Sequence, residues 1–136
     1  MTTDTNFNIF RANDIRGEYP NEINEKIVSE IVQKFCQHFL LSQKPVIVIA
    51  RDTRLSSPSF YRAAINSVKY QTPSARIVEV GLSTTPMFYF LVRKLKASGG
   101  IMITASHNPK NYNGLKIVDA NAMPISGLEI RKLFNL

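Results

Sequence analysis

Val46-Ile47-Val48-Ile49-Ala50 runs directly into Arg51-Asp52-Thr53-Arg54, and Ser57-Pro58 follows three residues later. Four β-branched residues without a polar break form the pattern of a strand buried on both faces, as in a parallel sheet with helices on each side. The charged, hydroxyl-bearing segment behind it then lies at the strand's carboxyl end. Ser57 as N-cap with Pro58 at the first helical position opens a helix that runs to about Tyr70. The same arrangement recurs downstream. Arg76–Val80 reads as a second strand closed by Gly81, and Thr85-Pro86 starts a helix over Pro86–Lys96. In that helix Met87, Phe88, Phe90, Leu91 and Leu95 read as core packing.

Gly99–Thr104 is a third buried strand and Gly114–Asp119 a fourth. Asn108-Pro109 and Asn113-Gly114 between them are turn signals. About ten residues join these two strands, too few for a helical crossover, so the last strand fits an antiparallel partner of its predecessor. Upstream, Ile27, Ile31, Phe35 and Phe39 recur every four residues in Asn24–Leu41, a helix capped by Asn24 with Glu25 in its first turn. Cys36 falls among its apolar positions and reads as a small core residue, while His38 reads as a surface position. Phe10–Gly17 mixes apolar and charged residues and is compatible with a short strand leading into a loop. Residues 1–8 are polar and expected to fray. Ser126 through Glu129 is a capping box opening a last helix, Gly127–Phe134. The expected fold is a single α/β domain over residues 1–136: a three-layer α/β/α arrangement with a mixed, mostly parallel four-stranded sheet.

Composition narrows the function classes. The chain has 136 residues, 44% hydrophobic and 20% charged, which excludes disordered and collagen-like classes. Its longest apolar run, Met87–Val92, is far short of the ~20 residues of a membrane-spanning helix. The first ten residues carry no basic segment or apolar run of a secretory signal. A single cysteine rules out an internal disulfide, and a reducing cytoplasm is the expected compartment. The net charge of +7 favours anionic partners. Such a charge attracts nucleic acid, acidic membranes or phosphorylated metabolites, and composition alone does not choose among them; Lys and Arg are scattered rather than blocked, which weakens the nucleic-acid reading, and in the end neither a nucleic-acid nor a membrane partner is expected.

In open α/β sheets ligands bind beyond the carboxyl ends of the strands. Three segments lie there: Arg51–Ser57, Gly81–Thr85 and Ala105–Asn113. The third is the richest in chemistry, with Thr104, Ser106, His107, Asn108, Lys110, Asn111, Tyr112, Asn113 and Lys116 inside thirteen residues. Ser106 and His107 are not a hydrolase pair. Neighbours in an extended segment point to opposite faces, and no G-x-S-x-G elbow is present. Phosphate chemistry suits the segment better. Turn amides can cradle an anion, and Lys116, Lys110, Arg16, Arg51 and Arg54 are available to neutralise a phosphoryl group. There is no Walker A sequence. Asp52, between Arg51 and Arg54, reads as an ion-pair strut.

Thr104-Ala105-Ser106-His107-Asn108-Pro109 followed by Tyr112-Asn113-Gly114-Leu115-Lys116 resembles the active-site loop of the α-D-phosphohexomutases. Phe10-Arg11-Ala12-Asn13-Asp14-Ile15-Arg16-Gly17 resembles their N-terminal loop, and Ala50 through Pro58 their second loop. The segments come in the family's order, and the resemblance spans nearly residues 7–136. It implies the first of four domains, with Ser106 as the phosphoserine that passes its phosphate to a hexose phosphate through a bisphosphorylated sugar. Lys116 and Arg16 match residues of proton transfer and charge stabilisation; arginine stays protonated, so Arg16 suits the latter. His107 and Asn108 match residues lining the sugar and phosphate site, and Arg51 would support the loop. Asn13 stands where an aromatic residue is frequent in the family, and Ala50 where glycine is usual.

The resemblance also implies Mg²⁺, a hard cation that wants several carboxylate oxygens together. Asp4, Asp14, Asp52 and Asp119 are not clustered in the sequence. The chain is therefore expected to offer one ligand, the Ser106 phosphate, and the main carboxylates are expected in a second domain. The expected partners are hexose phosphates and the further domains of the same enzyme, and the 136 residues alone are expected to be inactive. The alternative is a stand-alone phosphosugar-binding or subunit-docking module without turnover.

Overall fold

A computed structural model describes residues 7–134; the fraying expected for residues 1–6 lies outside the described residues. Phe7–Ile9 is a short 3-10 turn rather than a frayed end. The first long helix, α1, spans Glu25–Phe39. Its N-cap is Asn24, whose side chain accepts the Ile27 N–H at 3.1 Å. Ile27, Val28, Ile31, Val32, Phe35 and Cys36 form its buried stripe, and His38 is exposed.

The strands are β1 (Ile15–Glu18), β2 (Val46–Arg51), β3 (Arg76–Leu82), β4 (Gly99–Ile103) and β5 (Tyr112–Asp119). They form one sheet in the order β1-β5-β4-β2-β3. β2 runs parallel to both β3 and β4, while β5 is antiparallel to β4 and β1. Five strands thus replace the four expected. Ile15-Arg16-Gly17-Glu18 has no run of β-branched residues to announce a strand. It becomes one by pairing with β5, Ile15 opposite Leu115 and Glu18 opposite Tyr112, about a hundred residues away.

The other helices are α2 (Ser57–Gln71), α3 (Thr85–Lys94) and α4 (Gly127–Lys132). Alternation along β2 divides the core. Ile47 and Ile49, with Ile101, Ile103, Leu115 and Ile117, join residues of α1, α2 and α4. Val48 and Ala50, with Met102 and Val118, meet Phe88 and Val92 of α3. The three layers are therefore unequal, with three helices on one face and one on the other. Gly100 sets the fit of α3, because a Cβ there would stand 2.8 Å from the Phe88 ring and 2.9 Å from Val92.

Three local readings change. The caps of α2 and α3 fall one residue earlier, at Ser56 and Thr84. Ser57 is left wholly buried, and its hydroxyl donates to Asp52 Oδ1. In α3 only Phe88 and Val92 are buried, while Met87, Phe90 and Leu95 are exposed, because one helix over a wide sheet face has one side to bury. Asn113-Gly114 is not a turn but lies inside β5. There Gly114 permits close approach of β1, since a Cβ would meet the Ile15 carbonyl and lie 2.8 Å from Arg16 Cα. Among the described residues, no helix is long and apolar enough to cross a membrane.

Candidate functional site

The three segments predicted at the strands' carboxyl ends converge. Asp52 to Leu55 from behind β2, Ser83 to Thr85 from behind β3, and Thr104, Ser106, His107, Asn108 and Lys110 from behind β4 line one open cleft of about 860 Å³. Met102 of β4 and Lys116 of β5 also line it. Lys116 is the register partner of Met102, so both side chains project from the α3 face of the sheet. That face is left open beyond the start of α3, which is why a half-buried lysine stands there.

Ser106 is exposed, with its backbone in the left-handed region at φ 55°. For a residue with a Cβ this conformation is costly and persists only where neighbours determine it. The Ser106 N–H donates to Thr104 Oγ1 at 3.0 Å, and Asn108 closes the turn on Ala105 O through its backbone N–H (3.1 Å) and its Nδ2 (2.8 Å). The Asn108 side chain is thus partly spent on holding the loop. His107 is exposed at the cleft.

Arg54 does most of the holding. Its Nη2 donates to Ser106 O (2.9 Å) and Asn108 O (2.8 Å), and its Nη1 to Pro109 O (2.6 Å) and Tyr112 O (3.1 Å). Asp52 orients the fork, with Oδ2 3.4 Å from Arg54 Nε. Asp52 Oδ1 also accepts the Arg54 N–H at 3.1 Å. A second joint is Asn113, wholly buried, whose Nδ2 donates to Ser56 Oγ (2.7 Å) and Ser57 Oγ (3.1 Å) while its Oδ1 accepts the Gly114 N–H (2.8 Å). From the other side the Tyr19 N–H donates to Asn111 O at 2.8 Å.

The structure therefore brings Ser106, His107, Asn108 and Lys116 to one cleft. It does not bring Arg16 and Arg51 to the lining of that cleft. Arg51 ends β2 and donates through Nη1 to Asp52 O at 3.1 Å. Arg16 lies on β1 opposite Gly114, on the same sheet face as Lys116, with its Nε 3.3 Å from Asp14 Oδ1. Asp14 is only 5% exposed, so this pair is held in place rather than solvated. Asn13 is exposed at the turn before β1, and Ala50 is fully buried under α3.

Sequence reasoning found the segments but missed the divisions of labour. Arg54, a phosphate-neutralising candidate in the sequence, is instead occupied by four carbonyls. Ser83, Thr84 and Thr85 form the opposite wall without a motif of their own. The Gly81–Thr85 segment is legible by its place at a strand's carboxyl end, but no local signal reveals the role of Arg54, because its carbonyl partners lie 52 to 58 residues away in the chain.

Two groups of α1, Cys36 and Glu25, are shifted from their ordinary values. Burial pushes the Cys36 thiol up to about 11, against a smaller opposing hydrogen bond with Thr72. Burial also pushes the Glu25 carboxyl up, but hydrogen bonds from Ser59, its own backbone N–H and Tyr19 together outweigh that and hold it below the ordinary carboxylate range. Ser59 Oγ and Tyr19 Oη reach Glu25 Oε2 at 2.7 and 2.9 Å. Among the described residues no group of three or more His, Cys, Asp or Glu could hold a metal ion.

The family model for phosphoglucomutase/phosphomannomutase, alpha/beta/alpha domain I, matches residues 8–135. The chain is 42% identical over 117 residues to "Phosphohexose mutases" of Xanthomonas campestris pv. campestris, covering 86% of this chain and 25% of that protein. It is 42% identical over 123 residues to a phosphomannomutase of Klebsiella pneumoniae, covering 90% of this chain and 75% of that sequence. A solved phosphoglucomutase/phosphomannomutase family protein from Burkholderia thailandensis superposes with a TM-score of 0.82 at 30% identity, over 96% of this chain and 30% of that one. The chain thus spans about a quarter of the length of the Xanthomonas relative. Matched almost from end to end, it belongs to the phosphoglucomutase/phosphomannomutase family and has the fold of that family's alpha/beta/alpha domain I.

Proposed function

We propose that this chain is the phosphoserine-bearing domain of an enzyme that interconverts hexose 1-phosphates and hexose 6-phosphates through a bisphosphorylated sugar. The observation that carries the reading is Ser106: exposed, in a strained backbone conformation, its Oγ without a hydrogen-bond partner among the described residues, at the rim of a cleft that also holds Lys116. In the forward half-reaction the bond from Ser106 Oγ to phosphorus breaks and a bond from a sugar hydroxyl oxygen to phosphorus forms. The sugar hydroxyl gives up its proton, and Ser106 Oγ gains one. The second half-reaction returns the other phosphate to Ser106 by the same steps in reverse.

Lys116 suits the charge and proton at the reacting oxygen, and His107 and the open carbonyl of the Asn108 side chain suit sugar and phosphate oxygens. Arg16 acts from the next strand, held by Asp14, and Arg51 supports the second loop. The residues of this cleft do not make a magnesium site by themselves. Asp52, the one carboxylate lining it, is engaged by Arg54 and Ser57. A phosphate on Ser106 supplies one hard oxygen, and Mg²⁺, which neutralises phosphate charge, needs carboxylates from elsewhere. Further domains of the same enzyme are the expected source of these and of the sugar-reading groups.

The test is turnover of glucose 1-phosphate to glucose 6-phosphate. The 136-residue chain should be no faster than its Ser106→Ala variant, while the whole enzyme should lose turnover on the same substitution. Ser106-dependent turnover by the 136 residues alone would refute the need for further domains. Tight calorimetric binding of hexose phosphates to the 136 residues, without turnover in the whole protein, would favour a binding module instead.

A further inference from the structure

We infer that Arg54 is a positioning residue that sets the reactive conformation of Ser106 by gathering the carbonyls of its loop. The inference rests on the reading of Ser106 as the phosphate carrier. Four carbonyls, those of Ser106, Asn108, Pro109 and Tyr112, converge on the two terminal nitrogens of one guanidinium at 2.6 to 3.1 Å. A planar fork with fixed donor directions satisfies such a set, whereas an ammonium group is a point charge with three mobile donors. Arg54 is itself only 14% exposed and is aimed by Asp52, so the fork is fixed before any ligand arrives.

This arrangement has two consequences for the loop. It holds Ser106 at φ 55°, a conformation the residue would otherwise leave. It also draws carbonyl oxygens to the Arg54 side, while the N–H groups of His107, Lys110 and Asn111 keep no protein partner among the described residues. A loop whose carbonyls are collected and whose amides are open is suited to an anion and poorly suited to a cation. Arg54 therefore acts on phosphate through the backbone, not by touching it.

The test compares whole-protein wild type, Arg54→Lys and Arg54→Ala. If the clamp sets geometry, Arg54→Lys keeps the charge yet loses about 100-fold in kcat, the scale expected for a misplaced reacting group. Its KM for glucose 1-phosphate should rise by a smaller factor than kcat falls, because the clamp acts chiefly on the placement of Ser106 and only through the loop on substrate contacts. Guanidinium ion added to Arg54→Ala should restore part of kcat, which a general loss of folding would not allow. Hydrogen exchange over residues 105–113 should quicken in both variants. An Arg54→Lys protein with wild-type kcat, or with unchanged loop exchange, overturns the inference. Absence of turnover in wild type would instead sink the enzymatic reading, and loop exchange would still decide whether Arg54 sets the loop.

Discussion

Replacing Asn113 by leucine tests how the second loop is welded to the loop of Ser106. Asn113 is wholly buried and makes three hydrogen bonds: to Ser56 Oγ, to Ser57 Oγ and from the Gly114 N–H. Leucine is close in size but offers none. The Gly114 N–H is then buried without an acceptor, at a cost of about 1–3 kcal/mol. Loss of the two hydroxyl contacts adds about 0.5–1.5 kcal/mol each at most, reduced because Ser57 keeps Asp52 as its acceptor and Ser56 is half-buried and can turn to water. The expected loss is about 2–4 kcal/mol, read from urea unfolding as a lowered midpoint at unchanged slope. A double-mutant cycle with Ser56→Ala should show a coupling of roughly 0.5–1.5 kcal/mol. A loss below about 1 kcal/mol for Asn113→Leu would refute the claim that this side chain joins the loops, since an unpaired buried amide alone should exceed it.

Three more outcomes follow from the packing and the titrations. Gly100→Ala should destabilise by about 1–3 kcal/mol, since its Cβ would crowd Phe88 and Val92 and push α3 off the sheet; an unchanged melting temperature would contradict that fit. The raised Cys36 thiol means the folded chain resists ionisation, so its contribution is whole below about pH 8.5 and is lost as pH rises toward 11. Relative to Cys36→Ala, wild type should lose about 3 kcal/mol of unfolding free energy across that window, and parallel curves would refute the burial argument. The Glu25 carboxyl is lowered, so its contribution is present above the ordinary carboxylate range and lost as pH falls through the depressed value. Glu25→Gln should flatten the acid limb of the stability curve, and an unaltered limb would count against the Tyr19–Glu25–Ser59 contact.

Most of the scaffold is legible from local pattern. The β-branched run of β2, the four-residue recurrence in α1 and the Ser-Pro and Thr-Pro helix starts each depend on a few neighbouring residues. What escapes depends on distant partners. Phe10–Gly17 is compatible with a short strand, but that Ile15-Arg16-Gly17-Glu18 joins the sheet as a fifth strand depends on β5 lying beside it. Asn113-Gly114 carries the signature of a turn, yet here the glycine admits a neighbouring backbone and the asparagine satisfies a buried amide. Met87 and Phe90 look like core in an apolar helix because sequence does not say that this sheet face carries a single helix. At the site, the Ser106 loop and its basic and amide side chains are visible as a cluster. Their ordering by Arg54 arises only when the loops meet in three dimensions, whereas the pairing of Arg16 with Asp14, two residues away, is within reach of the sequence.

The most direct measurement is peptide-mapping mass spectrometry of the whole protein after incubation with glucose 1,6-bisphosphate, alongside Ser106→Ala. The account predicts one phosphate, located at Ser106 and absent from the variant. An unmodified Ser106, or a phosphate that persists in the variant, would contradict it.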